Sequence, residues 1–175
     1  GRWSNARKRL IYNSRIETTK LLVEALKLIE QNRRPKILIN ASAIGILGDR
    51  GDEILCETSI PGTGFLADVV KDWEAAASRA NTLGIRTVLL RTGVVLGRGG
   101  GALEKMQPVV LGTGKQWLSW IHLDDLIRFI EFALTKNHVK GPYHLTAPQP
   151  EQNKVFTKKL AQAKGIPIVL RVPSV

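Results

Sequence analysis

Residues 63–93, TGFLADVVKDWEAAASRANTLGIRTVLLRTG, decide the fold class of this chain. The pattern predicts a helix from Thr63 or Gly64 to about Leu83, which Gly84 ends because glycine accepts the backbone conformation of a helix C-cap. RTVLLRTG at 86–93 follows as a nearly continuous apolar run, typical of a strand covered on both faces. A helix joined by a short link to a buried strand indicates an α/β fold.

The same alternation continues on both sides of this stretch. A helix over 14–31 is predicted from apolar residues at helical spacing, opened by a capping box at Ser14-x-x-Glu17. The remaining predicted elements are a second buried strand at 36–42, a loop at 43–62, a strand at 115–122, a helix at 124–136, a strand at 143–147, a helix at 154–164 and a strand within 166–172. Together they favour a parallel sheet flanked by helices.

Composition limits the function classes. The 175 residues fit one domain, 43% of them are hydrophobic, and there is no run of 18 apolar residues to span a membrane. The single cysteine, Cys56, makes no internal disulfide, and no metal-ligand spacing occurs, so a reducing, cytoplasmic setting is expected. The net charge of +11 raises a nucleic-acid-binding module as an alternative, but the basic residues are spread out and favour solvated surfaces.

One glycine motif resembles a dinucleotide fingerprint. Gly97-x-Gly99-x-x-Ala102 follows an apolar strand and precedes a short helical stretch, and Asp124 lies about 20 residues further on. That acid should end the next strand of a βαβ unit, whereas Asp124 is predicted at the start of a helix. A flexible loop on the substrate side is therefore the favoured interpretation.

Five stretches in order carry a family resemblance: residues 2–15, NASAIGILGDRGDE at 40–53, PGTGFLADV and WEAAA within 61–77, LRTGVVLGRGGGAL at 90–103, and GKQWLSWIHLDDL at 114–126. They resemble the atypical, epimerase-like branch of the extended short-chain dehydrogenase/reductase superfamily. Its members are called NAD-dependent epimerase/dehydratase-like or cell-division-inhibitor-like proteins. The resemblance is to the middle and later part of such proteins. The chain is therefore expected to be a fragment without the N-terminal glycine motif and the first strands.

The resemblance implies a Rossmann-like, doubly wound parallel sheet with a small C-terminal lobe on the substrate side. Residues 1–100 would form the later part of the dinucleotide-binding domain. Residues 101–175 would form a substrate-side region, interleaved with the last strands and not an independent domain. NADP or NAD is the implied cofactor, with NADP slightly preferred, and a homodimer through the helices at 14–31 and 63–83 is one option.

The family's catalytic Tyr and Lys have no counterpart in this sequence. The resemblance puts Leu66 at the Tyr position and Val70 at the Lys position, and neither side chain can move a proton. The remaining tyrosines, Tyr12 and Tyr143, have no Lys four residues on. Lys71 is the nearest substitute base, but one residue on a helix is about 100° of rotation, so it is expected to face away and be a surface charge.

The cofactor-side residues implied by the resemblance follow two strands: Ala41 and Ser42 after one, and Arg91, Thr92, Gly93 and Val94 after the next. Ser42 lies within one residue of the superfamily's Ser/Thr and would hydrogen-bond substrate or nicotinamide; alternatively it bonds locally. Arg91 would pair a phosphate or carboxylate, or form an ion pair at the sheet edge. Gly93 would let the backbone approach the nicotinamide.

The substrate-side residues are Trp117, Trp120 and His122, where the family has an aromatic-x-His-x-x-Asp pattern. Histidine is the side chain best suited to proton transfer under physiological conditions, so His122 is the expected proton carrier, with a structural hydrogen bond as the alternative. Asp124 and Asp125 are expected to cap the helix at 124–136.

Two main hypotheses follow. The first is an NAD(P)-binding epimerase or oxidoreductase-like protein of unknown small-molecule substrate, with Ser42, His122 or water handling the proton. The second is a non-enzymatic dinucleotide sensor that acts through a protein partner. The basic nucleic-acid-binding module is a third, resting on charge alone.

Overall fold

The computed structural model describes residues 3–167 and 170–173. The helices are α1 (Asn5–Asn13), α2 (Ile16–Lys27), α3 (Phe65–Ser78), α4 (Gly101–Lys105), α5 (Leu123–Thr135) and α6 (Asn153–Ala163). The strands are β1 (Ile37–Ala43), β2 (Arg86–Thr92), β3 (Val94–Leu96), β4 (Val109–Leu111), β5 (Trp117–Leu118), β6 (Trp120–His122), β7 (Gly141–Leu145), β8 (Glu151–Gln152) and β9 (Leu170–Val172). None of the helices in the described part is long and apolar enough to cross a bilayer.

The chain forms two compact units, each assembled from separate stretches. The first unit comprises Gly1–Asp49, Leu55–Arg91 and Ile130–His144. The second comprises Arg50–Ile54, Thr92–Phe129 and Leu145–Val175. The assignment of residues 1–100 to cofactor binding and 101–175 to the substrate side stays a prediction.

The first unit is built on a three-stranded sheet of order β1–β2–β7. Helices α2 and α3 pack against each other, and α3 also packs on β1. The second unit contains two parallel pairs, β3–β6 and β4–β9, and one antiparallel pair, β5–β8. The predicted α/β fold with parallel strands is confirmed.

The stretch that decides the fold behaves as predicted. Helix α3 ends at Ser78 and passes into a 3₁₀ turn at Arg79–Leu83. Gly84 follows in the left-handed conformation, with φ 76°, so glycine does terminate the helix. In β2 all five residues from Thr87 to Arg91 are buried, which confirms the prediction of a covered strand.

Strand β1 is less covered than predicted. Ile37, Leu38 and Ile39 are only half-buried, and Ala41 is exposed. Helix α3 packs on the face of β1 that carries Ser42, as their hydrogen bond below shows. The apolar run at 36–42 is therefore not buried on both faces within the described residues, and that prediction is wrong.

The N-terminal helix prediction is wrong in its start and its cap. The helix predicted over 14–31 is observed as α2, Ile16–Lys27, and an additional helix that was not predicted, α1, precedes it. The hydroxyl of Ser14 donates to the carbonyl of Ile11 at 3.0 Å, so it closes α1 and does not cap α2. Arg15 occupies the N-cap of α2, and its side chain makes no capping hydrogen bond to that helix. The capping box fails because its serine lies in the short link between two helices.

The segment at 115–122 also differs from the prediction of one strand. It forms two short strands with different partners: β5 pairs with β8, while β6 pairs with β3. The strand predicted at 143–147 is displaced to β7, Gly141–Leu145. The last strand is β9, and residues 168 and 169 of the predicted run lie outside the described residues.

Candidate functional site

Helix α3 carries a carboxylate on its buried stripe. Ala67, Val70, Glu74 and Ala77 follow one another at spacings of three and four residues, and all four are buried. A carboxylate at such a position must be paired and hydrogen-bonded, because a lone buried charge is costly. Glu74 is 8% exposed, so its partners determine what this part of the molecule can do.

Glu74 is held by two side chains from the ends of neighbouring strands. Arg91 of β2 donates from Nε to Oε1 at 2.8 Å and from Nη2 to Oε2 at 2.9 Å, a bidentate ion pair. Ser42 of β1 donates its hydroxyl proton to Oε1 of Glu74 at 2.5 Å. Both partners are 6% exposed. The ends of β1 and β2 are therefore bound to α3 by one buried carboxylate.

The third guanidinium nitrogen of Arg91 also has a partner inside the protein. Nη1 donates to the carbonyl of Glu57 at 3.0 Å. Nε, Nη1 and Nη2 thus all donate to protein oxygens. The contacts of Arg91 therefore agree with the second of its two predicted roles, an ion pair at the sheet edge.

Glu57 extends this arrangement to β7. Its Oε1 accepts a hydrogen bond from the backbone N–H of His144 at 2.8 Å, and that bond is the main cause that lowers the pKa of the Glu57 carboxyl. Burial lowers the pKa of His144. The Nε2 atom of His144 is buried without a hydrogen-bond partner among the described residues. Ser42, Glu57, Glu74, Arg91 and His144 are called the Glu74 cluster below.

The two residues predicted at the end of β1 point in different ways. Ser42 is buried against Glu74, whereas Ala41 is exposed. Alternation along a strand puts neighbouring side chains on opposite faces, so only one of the pair can face solvent. Of the two, Ala41 is therefore the residue whose side chain is accessible from solvent. Three of the five N–H donors of Arg91 are used by Glu74 and Glu57.

Leu66 and Val70, which the resemblance puts at the family's Tyr and Lys positions, differ in burial. Leu66 is 49% exposed, while Val70 is 6% exposed and packs with Ile46 and Leu47 in a small core. Lys71 pairs with Asp68 at 2.8 Å on the helix surface. The prediction that Lys71 is a surface charge is confirmed, since its side chain is 39% exposed.

The residues after β2 lie in the second unit. Gly93 donates its N–H to the carbonyl of Leu145 at 3.1 Å, and Val94 pairs with Trp120 in the β3–β6 register. A Cβ atom at Gly93 would come within 2.6 Å of the Ser119 carbonyl oxygen. This close approach of two protein backbones accounts for the glycine. Thr92, the residue before it, is half-buried.

The two tryptophans of the substrate-side segment have fixed indole groups. Nε1 of Trp117 donates to Asp52 Oδ1 at 2.6 Å, and Nε1 of Trp120 donates to the Gln149 carbonyl at 3.2 Å. Trp117 remains 46% exposed. Each indole N–H therefore has an acceptor within the protein.

His122 is the last residue of β6 and directly precedes helix α5. Its Nδ1 accepts the N–H of Asp124 at 3.2 Å and lies 3.6 Å from the carboxylate of Asp124. Helix α5 starts at Leu123, so Asp124 and Asp125 lie in its first turn and do not cap it, contrary to the prediction. The imidazole satisfies the helix N–H itself, while its side chain stays 49% exposed.

The glycine motif does not build a dinucleotide-binding helix. The helix after it, α4, has five residues, and three consecutive glycines from Gly99 to Gly101 have positive φ. Asp124 lies in a helical first turn. A loop is the interpretation that this geometry favours.

Sequence reasoning missed the partners of Ser42 and Arg91. Glu74, Glu57 and His144 were not among the predicted site residues. The signal for Glu74 was present, because a carboxylate on the buried stripe of α3 requires a cation, and Arg91 is the cation within the buried strand β2. Nothing in the sequence placed Glu57, because it lies in a loop without periodicity.

Parallel strands flanked by helices, with polar residues at the strand ends, define a Rossmann-like α/β protein. The NAD dependent epimerase/dehydratase family matches residues 1–146, and the chain belongs to this family. The resemblance noted from the sequence is thereby confirmed.

Several similar proteins are named epimerase family proteins. One from Mycobacterium bovis is 41% identical over 99% of this chain and 59% of its own length. One from Arabidopsis thaliana, named a chloroplastic SDR39U1 homolog, is 38% identical over 98% of this chain and 51% of its own length. The chain therefore spans about three fifths or less of the length of these relatives.

Two solved structures share the fold. The human epimerase family protein SDR39U1, crystallised with NADPH, has a TM-score of 0.88 and 31% identity over 99% of this chain and 60% of its own. A nucleoside-diphosphate sugar epimerase from Corynebacterium glutamicum has a TM-score of 0.80 and 38% identity over 95% of this chain and 37% of its own.

Proposed function

We propose that the protein containing this chain binds NAD(P) and acts as an epimerase-like oxidoreductase on a small molecule of unknown identity. The observation that carries the proposal is the likeness, over 99% of the chain, to a human protein crystallised with NADPH. That likeness also supports NADP over NAD. When bound, the dinucleotide would supply hydride transfer.

The proposed cofactor side is the pair of strand ends at 41–42 and 91–94. Ala41 would contact an apolar ring, and Thr92, Gly93 and Val94 would offer backbone groups. Ser42 and Arg91 would act through position, because Glu74 holds both side chains. Trp117 and Trp120 would line the substrate side.

His122 is the proposed proton carrier. Its ring is half-exposed and has one nitrogen bound to the Asp124 N–H. Ser42 is the weaker candidate, because its proton is donated to a buried carboxylate.

A second function, a non-enzymatic dinucleotide sensor, is favoured by one observation. The positions of the catalytic pair hold Leu66 and Val70, and Val70 is part of an apolar core. Such a site could bind a cofactor without moving a proton and report its presence to a protein partner.

NADPH oxidation by the full-length protein against a panel of carbonyl compounds separates the two functions. The enzymatic proposal expects turnover that falls about 100-fold or more in His122→Ala, given the usual worth of a general acid or base. His138→Ala, at an exposed histidine in another part of the chain, is the control. Tight NADPH binding with no turnover by any compound would favour the sensor.

A further inference from the structure

A basic pocket lies in the second unit, between α6 and the two-stranded ribbon β4–β9. Its volume is about 540 Å³, within the range of small-molecule sites. Its lining includes Val110, Lys154, Lys158, Ala161 and Arg171. No aspartate or glutamate is among its lining residues. None of these lining residues belongs to the Glu74 cluster or to strand β6, which ends at His122.

The described residues provide no carboxylate partner for the three cations of this pocket. Lys154 and Lys158 are four residues apart on α6, where like charges repel. Neither lysine, nor Arg171, has a carboxylate partner within residues 3–167 and 170–173. The neighbouring Lys159, outside the pocket, is paired with Glu151. Positive charge is thus left uncompensated where the cavity lies and compensated beside it.

The frame of the pocket is fixed by backbone contacts. Lys154 donates its N–H to the carbonyl of Gly114 at 2.9 Å, which ties the start of α6 to the loop after β4. Arg171 donates from Nε to the carbonyl of Gly112 at 2.8 Å, so its two terminal nitrogens are the ones left for a ligand. Val110 and Ala161, both buried, supply an apolar floor.

We propose that this basic pocket binds a small organic phosphate. A guanidinium and two ammonium groups offer charge-assisted donors to the oxygens of a phosphate monoester, and the floor suits an apolar body attached to it. The inference goes beyond the proposed function and does not depend on it, because none of the pocket residues is among those assigned to cofactor or proton transfer.

Calorimetric titration of the full-length protein with phenyl phosphate and with inorganic phosphate tests the proposal. Phenyl phosphate should bind severalfold more tightly than inorganic phosphate, because the ring covers Val110 and Ala161. Lys158→Gln and Arg171→Gln should each weaken phenyl phosphate about tenfold, the loss of one charge-assisted contact. Lys159→Gln is the matched control on the same helix, expected within about twofold of the parent protein.

Each titration is repeated with saturating NADPH, so that failure of this proposal and failure of dinucleotide binding are told apart. Phenyl phosphate binding should persist with NADPH present. The proposal is overturned if neither phosphate binds, if NADPH displaces phenyl phosphate, or if Lys159→Gln weakens binding as much as Lys158→Gln. The last result would show that phosphate is attracted to the overall positive charge of the protein and does not bind at a specific site.

Discussion

The contacts of single residues give helix α3 a structural role that does not need the family's Tyr and Lys. Glu74 is the one charged residue on the buried stripe of α3, and it fixes the ends of two strands through Arg91 and Ser42. Leu66 and Val70, which the resemblance puts at the family's Tyr and Lys positions, take no part in that arrangement. A scaffold role for α3 therefore survives independently of proton transfer.

The first prediction concerns Glu74. In Glu74→Gln the buried guanidinium of Arg91 loses its counter-charge, so the free energy of unfolding should fall by about 3–5 kcal/mol. Urea denaturation measures the change. Asp68→Asn on the same helix removes an exposed partner of Lys71 and should cost no more than about 1 kcal/mol. If the free energy of unfolding fell equally in the two variants, the buried ion pair with Arg91 would contribute no more to stability than an exposed one.

The second prediction concerns the exposed thiol of Cys56. Hydrogen bonds from the hydroxyl of Thr58 and then that of Ser59 lower its pKa to about 7. The rate of iodoacetamide alkylation, followed by mass spectrometry of the Cys56 peptide, should therefore reach half its maximum near that pH. Thr58→Ala should move the midpoint upward, toward the ordinary value of 9.0. Thr82→Ala, whose hydroxyl bonds the Arg79 carbonyl, should leave it in place.

At the scale of elements, sequence periodicity correctly predicted α3 and β2 because the burial of their residues follows a regular pattern. A stripe of small apolar residues and a run buried on both faces leave a clear pattern. The capping box at Ser14 failed because a local motif does not reveal that another helix ends at Asn13, only two residues short of α2. The segment at 115–122 failed because alternation predicts a strand but not which partner each half pairs with.

The third prediction tests a close contact between elements. In Gly93→Ala the new Cβ would lie 2.6 Å from the Ser119 carbonyl oxygen, so backbone must move and stability should fall by about 1–3 kcal/mol. Gly45→Ala meets nothing within 4 Å and should be neutral or gain up to about 1 kcal/mol. Thermal unfolding compares the two. A stable Gly93→Ala would mean that the approach of Ser119 is looser than described.

For the molecule as a whole, the candidate site was predicted in part. The strand ends at Ser42 and Arg91 followed from family resemblance, whereas their binding to Glu74, Glu57 and the strand of His144 did not. That cluster depends on contacts between residues as much as 87 positions apart. Local patterns carry no information on such pairings, so only the burial of Glu74 could have hinted at them.

The fourth prediction is that acid weakens the folded protein in two steps. Burial lowers the pKa of His144 below its ordinary 6.5, so the folded chain binds that proton more weakly than the unfolded chain. The contribution of His144 to the free energy of unfolding is therefore fully present above pH 6.5 and declines as the pH falls below that value. Glu57, whose pKa is below its ordinary 4.5, adds a further loss as pH falls through its folded value.

Urea denaturation at a series of pH values measures this dependence. His144→Asn should flatten the decline that begins near neutrality, whereas the exposed His138→Asn should not. A parent protein whose stability is unchanged between neutral and mildly acidic pH would contradict the assignment to His144.

The central claim is that a protein of this family binds a dinucleotide through a scaffold from which the tyrosine–lysine pair is missing. Isothermal titration of the full-length protein with NADPH, and with NADH for comparison, tests it most directly. The account predicts saturable binding of NADPH, tighter than that of NADH. Absence of binding by both dinucleotides would contradict it.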